Sequence, residues 1–137
     1  MSATPAAPAM QYFAGRASLI PCAHHADPRG SLLPFEFDQM PLVPRRAFVI
    51  TDVPAGTIRG GHAHRSGTQW LVCLQGRIEI VMRYQGEQVT LLLEPSKFGL
   101  LFGPGVWCQQ TYLDAGSVLL AFSSEAYDPD TYLEQAG

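Results

Sequence analysis

Two histidines separated by one residue, His62 and His64, are the side chains whose type and spacing most directly offer chemistry. In an extended strand residues i and i+2 point to the same face, so this spacing presents two imidazoles side by side. Imidazole, with an unperturbed pKa of about 6.5, can both take and return a proton near neutrality. Gly60 and Gly61 precede the pair and leave room for a ligand to approach the backbone. The same spacing also describes the solvent-facing polar side of an ordinary strand, and spacing alone does not separate the two readings.

The elements that must position this pair are strands. Apolar, β-branched and aromatic segments recur between Gly, Pro, Asp and Ser: Ala47–Thr51, Gln69–Leu74, Arg77–Tyr84, Gln88–Leu93, Leu100–Phe102, Cys108–Tyr112 and Val118–Ser123. Arg77–Tyr84 alternates, with Ile78, Ile80 and Met82 on one face and Arg77, Glu79, Val81 and Arg83 on the other, which predicts a half-buried strand. Tyr84-Gln85-Gly86-Glu87 reads as a hairpin turn in which Gly86 supplies a positive φ. No long stretch keeps a helical period; Asp128–Glu134 is the one candidate for a short C-terminal helix. Many short strands with frequent turns make an all-β sandwich or barrel.

The chain has 137 residues, of which 47% are hydrophobic and 15% charged, enough for one domain with its own core. Residues 1–16 open on an Ala/Pro-rich stretch and read as a flexible segment. Residues 17–137 form one folded domain without a linker or an internal repeat. Nine basic against twelve acidic residues leave a formal charge of -3, which offers no general attraction to nucleic acid or to an anionic membrane. The longest apolar runs, Trp70–Leu74 and Val118–Phe122, fall far short of the roughly 20 residues needed to span a bilayer. The N-terminal stretch lacks the basic start and apolar middle of a secretory signal, and Cys22, Cys73 and Cys108 are too few and too scattered for a disulfide framework. A cytoplasmic protein is expected, with two of the three cysteines in the core.

The surroundings of the histidine pair carry a wider pattern. Gly56, five residues, His62-Ala-His64, four residues, Gln69, six residues and Gly76 resemble the first motif of the cupin superfamily, with Gln69 where an acid usually stands. Gly99-Leu-Leu-Phe-Gly-Pro104-Gly-Val-Trp107-Cys108 is similar to the second motif, ending in Cys where that motif has His. Within the superfamily, Asp27-Pro-Arg-Gly-Ser-Leu32, Val53-Pro54, Arg59-Gly-Gly-His-Ala-His-Arg65, Val72-Cys-Leu-Gln-Gly76, Gly103-Pro-Gly-Val-Trp107 and Ser123-Ser-Glu-Ala-Tyr-Asp-Pro-Asp-Thr-Tyr132 resemble the dTDP-sugar 3,4-ketoisomerases. The resemblance implies a single-domain cupin, a double-stranded β-helix or jelly roll whose interior holds the site. It also implies isomerisation of dTDP-4-keto-6-deoxyglucose to a 3-keto sugar for deoxysugar biosynthesis, with no metal or other cofactor, by a homodimer. The apolar portion from Ala17 to Phe37 would add strands to a neighbour's sheet.

On this resemblance His62 and His64 are the catalytic acid/base pair. Arg59 would offset enediolate or diphosphate charge through bidentate hydrogen bonds, and Arg46 would bind phosphate. Gln69 would hydrogen-bond sugar hydroxyls, Trp107 would stack on the thymine or wall the sugar pocket, and Tyr127 with Tyr132 would close the base-binding side. Cys108 would keep a substrate contact in place of the histidine. Plainer roles stay open: Arg59 and Arg46 as strand-edge charges, Trp107 and Cys108 as core residues, the tyrosines as packing for the tail. Two rival functions also stand. One is a metal-dependent cupin with Zn²⁺, Fe²⁺ or another divalent ion on His62, His64 and Cys108, with Gln69 as an optional further ligand. The other is a non-catalytic sugar-nucleotide-binding cupin.

Overall fold

The computed structural model describes residues 10–95 and 98–137. Its strands are β1 (Met10–Tyr12), β2 (Ala17–Pro21), β3 (His25–Asp27), β4 (Gly30–Leu32), β5 (Arg46–Ile50), β6 (Thr57–His64), β7 (Gln69–Gln75), β8 (Ile78–Tyr84), β9 (Glu87–Leu93), β10 (Phe98–Phe102), β11 (Trp107–Tyr112), β12 (Val118–Ser123) and β13 (Tyr132–Leu133). The alternation read from the sequence sets their faces. Ile78, Ile80 and Met82 of β8 are fully buried, while Glu79 and Val81 are partly covered and Arg83 is exposed. The β8–β9 turn places Gln85 at φ 48° and Gly86 at φ 80°, the two positive values a two-residue hairpin loop of matching twist requires.

Two antiparallel sheets face each other, one in the order β1-β2-β10-β7-β12-β5 and the other in the order β13-β6-β11-β8-β9, with the small β3–β4 hairpin set apart. Sequence neighbours such as β5 and β6 lie in opposite sheets, which gives the jelly-roll winding of a cupin-like fold. The inner faces enclose a core that includes Leu71, Cys73, Ile80, Met82, Leu100, Val106, Cys108, Tyr112 and Leu119. A second apolar layer covers the outer face of the six-stranded sheet, where Met40 and Leu42 pack with Phe35 over Ile20, Trp70, Val72 and Phe122. Cys73 and Cys108 are buried, as the sequence led one to expect of two cysteines.

Two sequence expectations change. The folded body begins earlier than residue 17: Met10–Tyr12 pairs with Ala17–Leu19, so only residues 1–9 of the expected flexible segment lie outside the described residues. The tail from Asp128 to Glu134 is not a helix. Asp128 caps a single 3-10 turn at Pro129–Thr131 by accepting from the Asp130 amide, after which Tyr132 and Leu133 pair with His64 and Ala63 of β6. Extended pairing satisfies backbone groups against an open strand edge, which an isolated seven-residue helix with no apolar stripe cannot match.

Candidate active site

A cavity of about 360 Å³ opens between the two sheets at one end of the barrel. Arg46, Phe48 and Ile50 of β5, with Gln69 and Leu71 of β7, form one wall. Arg59, His62 and His64 of β6, with Gln110 of β11 and Tyr132 of β13, form the other.

Strand parity alone would not bring Arg59 and His62 to one wall, because residues three apart on a regular strand face opposite ways. The register supplies the reason. Cys108 lies opposite His62, but Gln109 lies opposite Gly60, so Gly61 is an extra residue in β6. Gly60 and Gly61 have φ values of 77° and 83°, the left-handed conformation that such a bulge takes with glycine. The bulge reverses parity once. Arg59 then sits opposite inward-facing Gln110, and His62 opposite inward-facing Cys108, so guanidinium and imidazole share the cavity face. Gly60 is also needed for space, since a Cβ there would stand 2.9 Å from the Cys108 carbonyl oxygen.

The two imidazole rings are 5.2 Å apart at an interplanar angle of 74°. Tyr132, brought opposite His64 by the β13 register, stacks on His62 at 4.4 Å and 13° and meets His64 edge-on at 4.7 Å. Gln69 places its amide nitrogen 3.3 Å from His64 Nε2; with the amide donating, the ring proton sits on Nδ1. Burial lowers the pKa of His62, against an opposing hydrogen bond with the Gly60 backbone. Burial pushes His64 down to about 4, helped by the charges of His62 and Arg46 and opposed by Glu125. Both rings are therefore neutral at pH 7, each with one basic nitrogen. The Arg46 guanidinium lies over the Phe48 and Tyr127 rings at 4.7 and 5.1 Å.

Of the residues singled out in the sequence, His62, His64, Arg59, Arg46 and Gln69 meet at this cavity. Three do not line it. Trp107 alternates with inward-facing Cys108 and so lies on the outer face of β11, under the Arg83 guanidinium at 4.6 Å. It lines neither this cavity nor the core. Cys108 faces inward but packs in the core behind Gln110, whose amide nitrogen lies 3.6 Å from its sulfur; burial pushes its thiol up to about 12. Tyr127 is exposed and touches the site only through Arg46 and Tyr132. Gln110 and the ring stacking of Tyr132 were not foreseen. Counting alternate residues onward from Cys108 would have placed Gln110 on the inner face, whereas nothing local announces the β13 register.

A metal ion is the occupant that the rival reading requires. With Cys108 sealed behind Gln110, no three His, Cys, Asp or Glu side chains among the described residues come together as ligands, so the donor set does not fit one.

Fold and site together define a cupin-like protein with two imidazoles paired on the wall of its cavity. The chain belongs to the FdtA family, described as WxcM-like, C-terminal, which it matches over residues 16–136. It is 31% identical over 110 residues to the TDP-4-oxo-6-deoxy-alpha-D-glucose-3,4-oxoisomerase of Aneurinibacillus thermoaerophilus, covering 80% of this chain and 79% of that one. Among solved structures it resembles the sugar 3,4-ketoisomerase QdtA of Thermoanaerobacterium thermosaccharolyticum in complex with TDP, with a TM-score of 0.81, 34% identity and 88% of each chain covered. A His-to-Asn variant of the same enzyme, in complex with TDP-4-keto-6-deoxyglucose, superposes with a TM-score of 0.82 at 33% identity, over 92% of this chain and 90% of that one.

Proposed function

We propose that this chain isomerises a dTDP-linked 4-keto-6-deoxyhexose to the 3-keto sugar by proton transfer through His62 and His64. The observation that carries the reading is the glycine bulge, which aligns Arg59 with two neutral imidazoles on one cavity wall. Its companions are relatives that act on or bind this sugar nucleotide.

The chemistry follows from the substrate. A C4 ketone acidifies the C3 hydrogen, so one imidazole takes that proton as O4 acquires one, giving an enediol. Loss of the O3 proton with delivery of a proton to C4 then completes an isomerisation in which atoms balance. Lowered imidazole pKa values keep the base unprotonated at neutral pH. The positive side chains of Arg59 and Arg46 flank the cavity where enediolate or diphosphate charge develops, and Gln69 is placed to bond a sugar hydroxyl while orienting His64. Tyr127 holds Arg46 by its ring face.

Assembly as a cytoplasmic homodimer belongs to the same reading. Exposed Leu32, Phe37 and Val43 support a partner surface, and no helix among the described residues is long and apolar enough to cross a membrane. Sedimentation at micromolar concentration tests the dimer, which a sharp monomer boundary would refute.

The decisive experiment incubates the protein with dTDP-4-keto-6-deoxyglucose in D₂O and follows the sugar ring by NMR, beside His62→Asn and His64→Asn. A 3-keto sugar that forms with the wild type and fails with either variant is expected. Tight dTDP binding without conversion would instead leave a binding protein.

A further inference from the structure

Beside His64, and sharing Arg46, Gln69 and Tyr132 with the main cavity, lies a second and much smaller space of about 10 Å³. That is about the volume one water molecule needs when polar partners surround it. The walls are polar: His64, Ser66, Gln69, Glu125 and Thr131 all reach it. Glu125 is held there by construction. Ser66 Oγ donates to its Oε2 at 2.9 Å, and its own amide donates to Ser123 Oγ at 3.2 Å. Gly67, at φ 83°, leaves a seat for its carboxyl, since a Cβ at that position would stand 3.0 Å from Glu125 Cδ. The two loops are latched as well, by Thr68 N donating to Ser124 Oγ at 2.8 Å and Ser124 N donating to the Thr68 carbonyl at 3.0 Å.

This arrangement answers a need left by the two-histidine chemistry. Both rings start neutral, so when one imidazole takes the C3 proton and the proton for C4 comes from solvent, that ring ends the turnover as an imidazolium. That ring must pass its proton on before the next turnover. We propose that Glu125, held by Ser66 and acting through a single water in the small space it shares with His64, is the positioning residue that exchanges protons between His64 and solvent. The inference rests on the isomerase reading. No redox partner is required: a proton passes from carboxyl to water to imidazole, or in reverse, and bulk water restores the carboxyl.

The groups facing His64 come from every neighbouring element: His62 on its own strand, Arg46 from β5, Gln69 from β7, Tyr132 from β13, and Glu125 with Asp128 from the segment after β12. Glu125 is the one of these whose charge raises the His64 pKa, whereas His62 and Arg46 lower it.

The test compares the full-length wild type with Glu125→Gln and Glu125→Asp. Glu125→Gln should lower kcat by about 5- to 50-fold, less than the loss of a direct acid or base, while KM and the dTDP dissociation constant stay within about twofold. Its His64 imidazole, followed by NMR, should titrate at lower pH than in the wild type. Added acetate should restore kcat in Glu125→Gln by carrying the proton, and Glu125→Asp should recover most of the rate. An unchanged kcat and pH profile in Glu125→Gln overturns the inference. So does a loss of rate that travels with lost dTDP affinity and lowered Tm and ignores acetate. Should the wild type itself convert no sugar, the isomerase reading falls, and the His64 titration then decides: an unshifted curve overturns the coupling to Glu125, a downward shift upholds it.

Discussion

Substituting alanine for Gly60 tests the bulge on which the site depends. At φ 77° an alanine pays the left-handed penalty of about 1–2 kcal/mol. Its Cβ would also stand 2.9 Å from the Cys108 backbone carbonyl oxygen, an atom that cannot swing aside. Overpacking of this kind adds about 1–3 kcal/mol. Gly86 provides the control, because its φ is 80° but nothing lies within 4 Å of its would-be Cβ. Gly86→Ala should therefore cost about 1–2 kcal/mol and Gly60→Ala about 2–5 kcal/mol, read from urea midpoints at constant m. For a domain of this size the larger loss lowers Tm by roughly 3–6 °C per kcal/mol. Gly60→Ala should in addition reduce kcat/KM by roughly tenfold or more, because a shift of about 1 Å between Arg59 and His62 spoils the approach of both to one substrate. Equal stability of the two variants, together with wild-type kcat/KM in Gly60→Ala, would refute the claim that the bulge is sterically fixed and sets the alignment.

Three further outcomes are expected. Tyr132→Phe keeps the ring stacked on His62 and should retain kcat within about threefold, whereas Tyr132→Ala should lose at least about tenfold; equal activity of the two would refute a positioning role for the ring. His64 has a folded pKa of about 4, below its unfolded value, so its contribution to stability is present above about pH 6.5 and lost as pH falls toward 4. Discounted for the half-exposed ring, the loss is about 1 kcal/mol, visible as a steeper fall of stability between pH 6.5 and 4 in the wild type than in His64→Asn. The Tyr112 hydroxyl is buried without a hydrogen-bond partner, so Tyr112→Phe should be neutral or stabilising by up to about 1 kcal/mol in chemical denaturation; a loss above 1 kcal/mol would show that the hydroxyl is satisfied.

The strands of the barrel were legible because their inner faces repeat with period two, as in β8, where every second residue is apolar and buried. The histidine pair was legible for the same reason. What escaped was phase. Gly60-Gly61 permits a bulge but does not compel one, and whether Arg59 joins the histidines is decided by pairing with β11, a partner almost fifty residues away in sequence. Which of Trp107 and Cys108 faces inward is a matter of phase too, since neighbours on a strand cannot both do so. Tyr132 was seen as part of a motif, but its place on His62 depends on an edge pairing of two residues, too short to leave any periodic trace.

The second apolar layer outside the six-stranded sheet divides the cavity into walls of unequal stiffness. β7 and β12 are clamped on both faces, by the core within and by Met40, Leu42 and their neighbours without, so their amides should exchange with solvent most slowly. β13, which carries Tyr132, is a two-residue strand on an edge, the kind of segment that opens first. Gln69 is thus mounted on an anvil, and the ring that covers the histidines on a leaf spring. A sugar nucleotide could enter by bending the spring alone, leaving the surface that fixes the orientation of His64 undisturbed through every cycle.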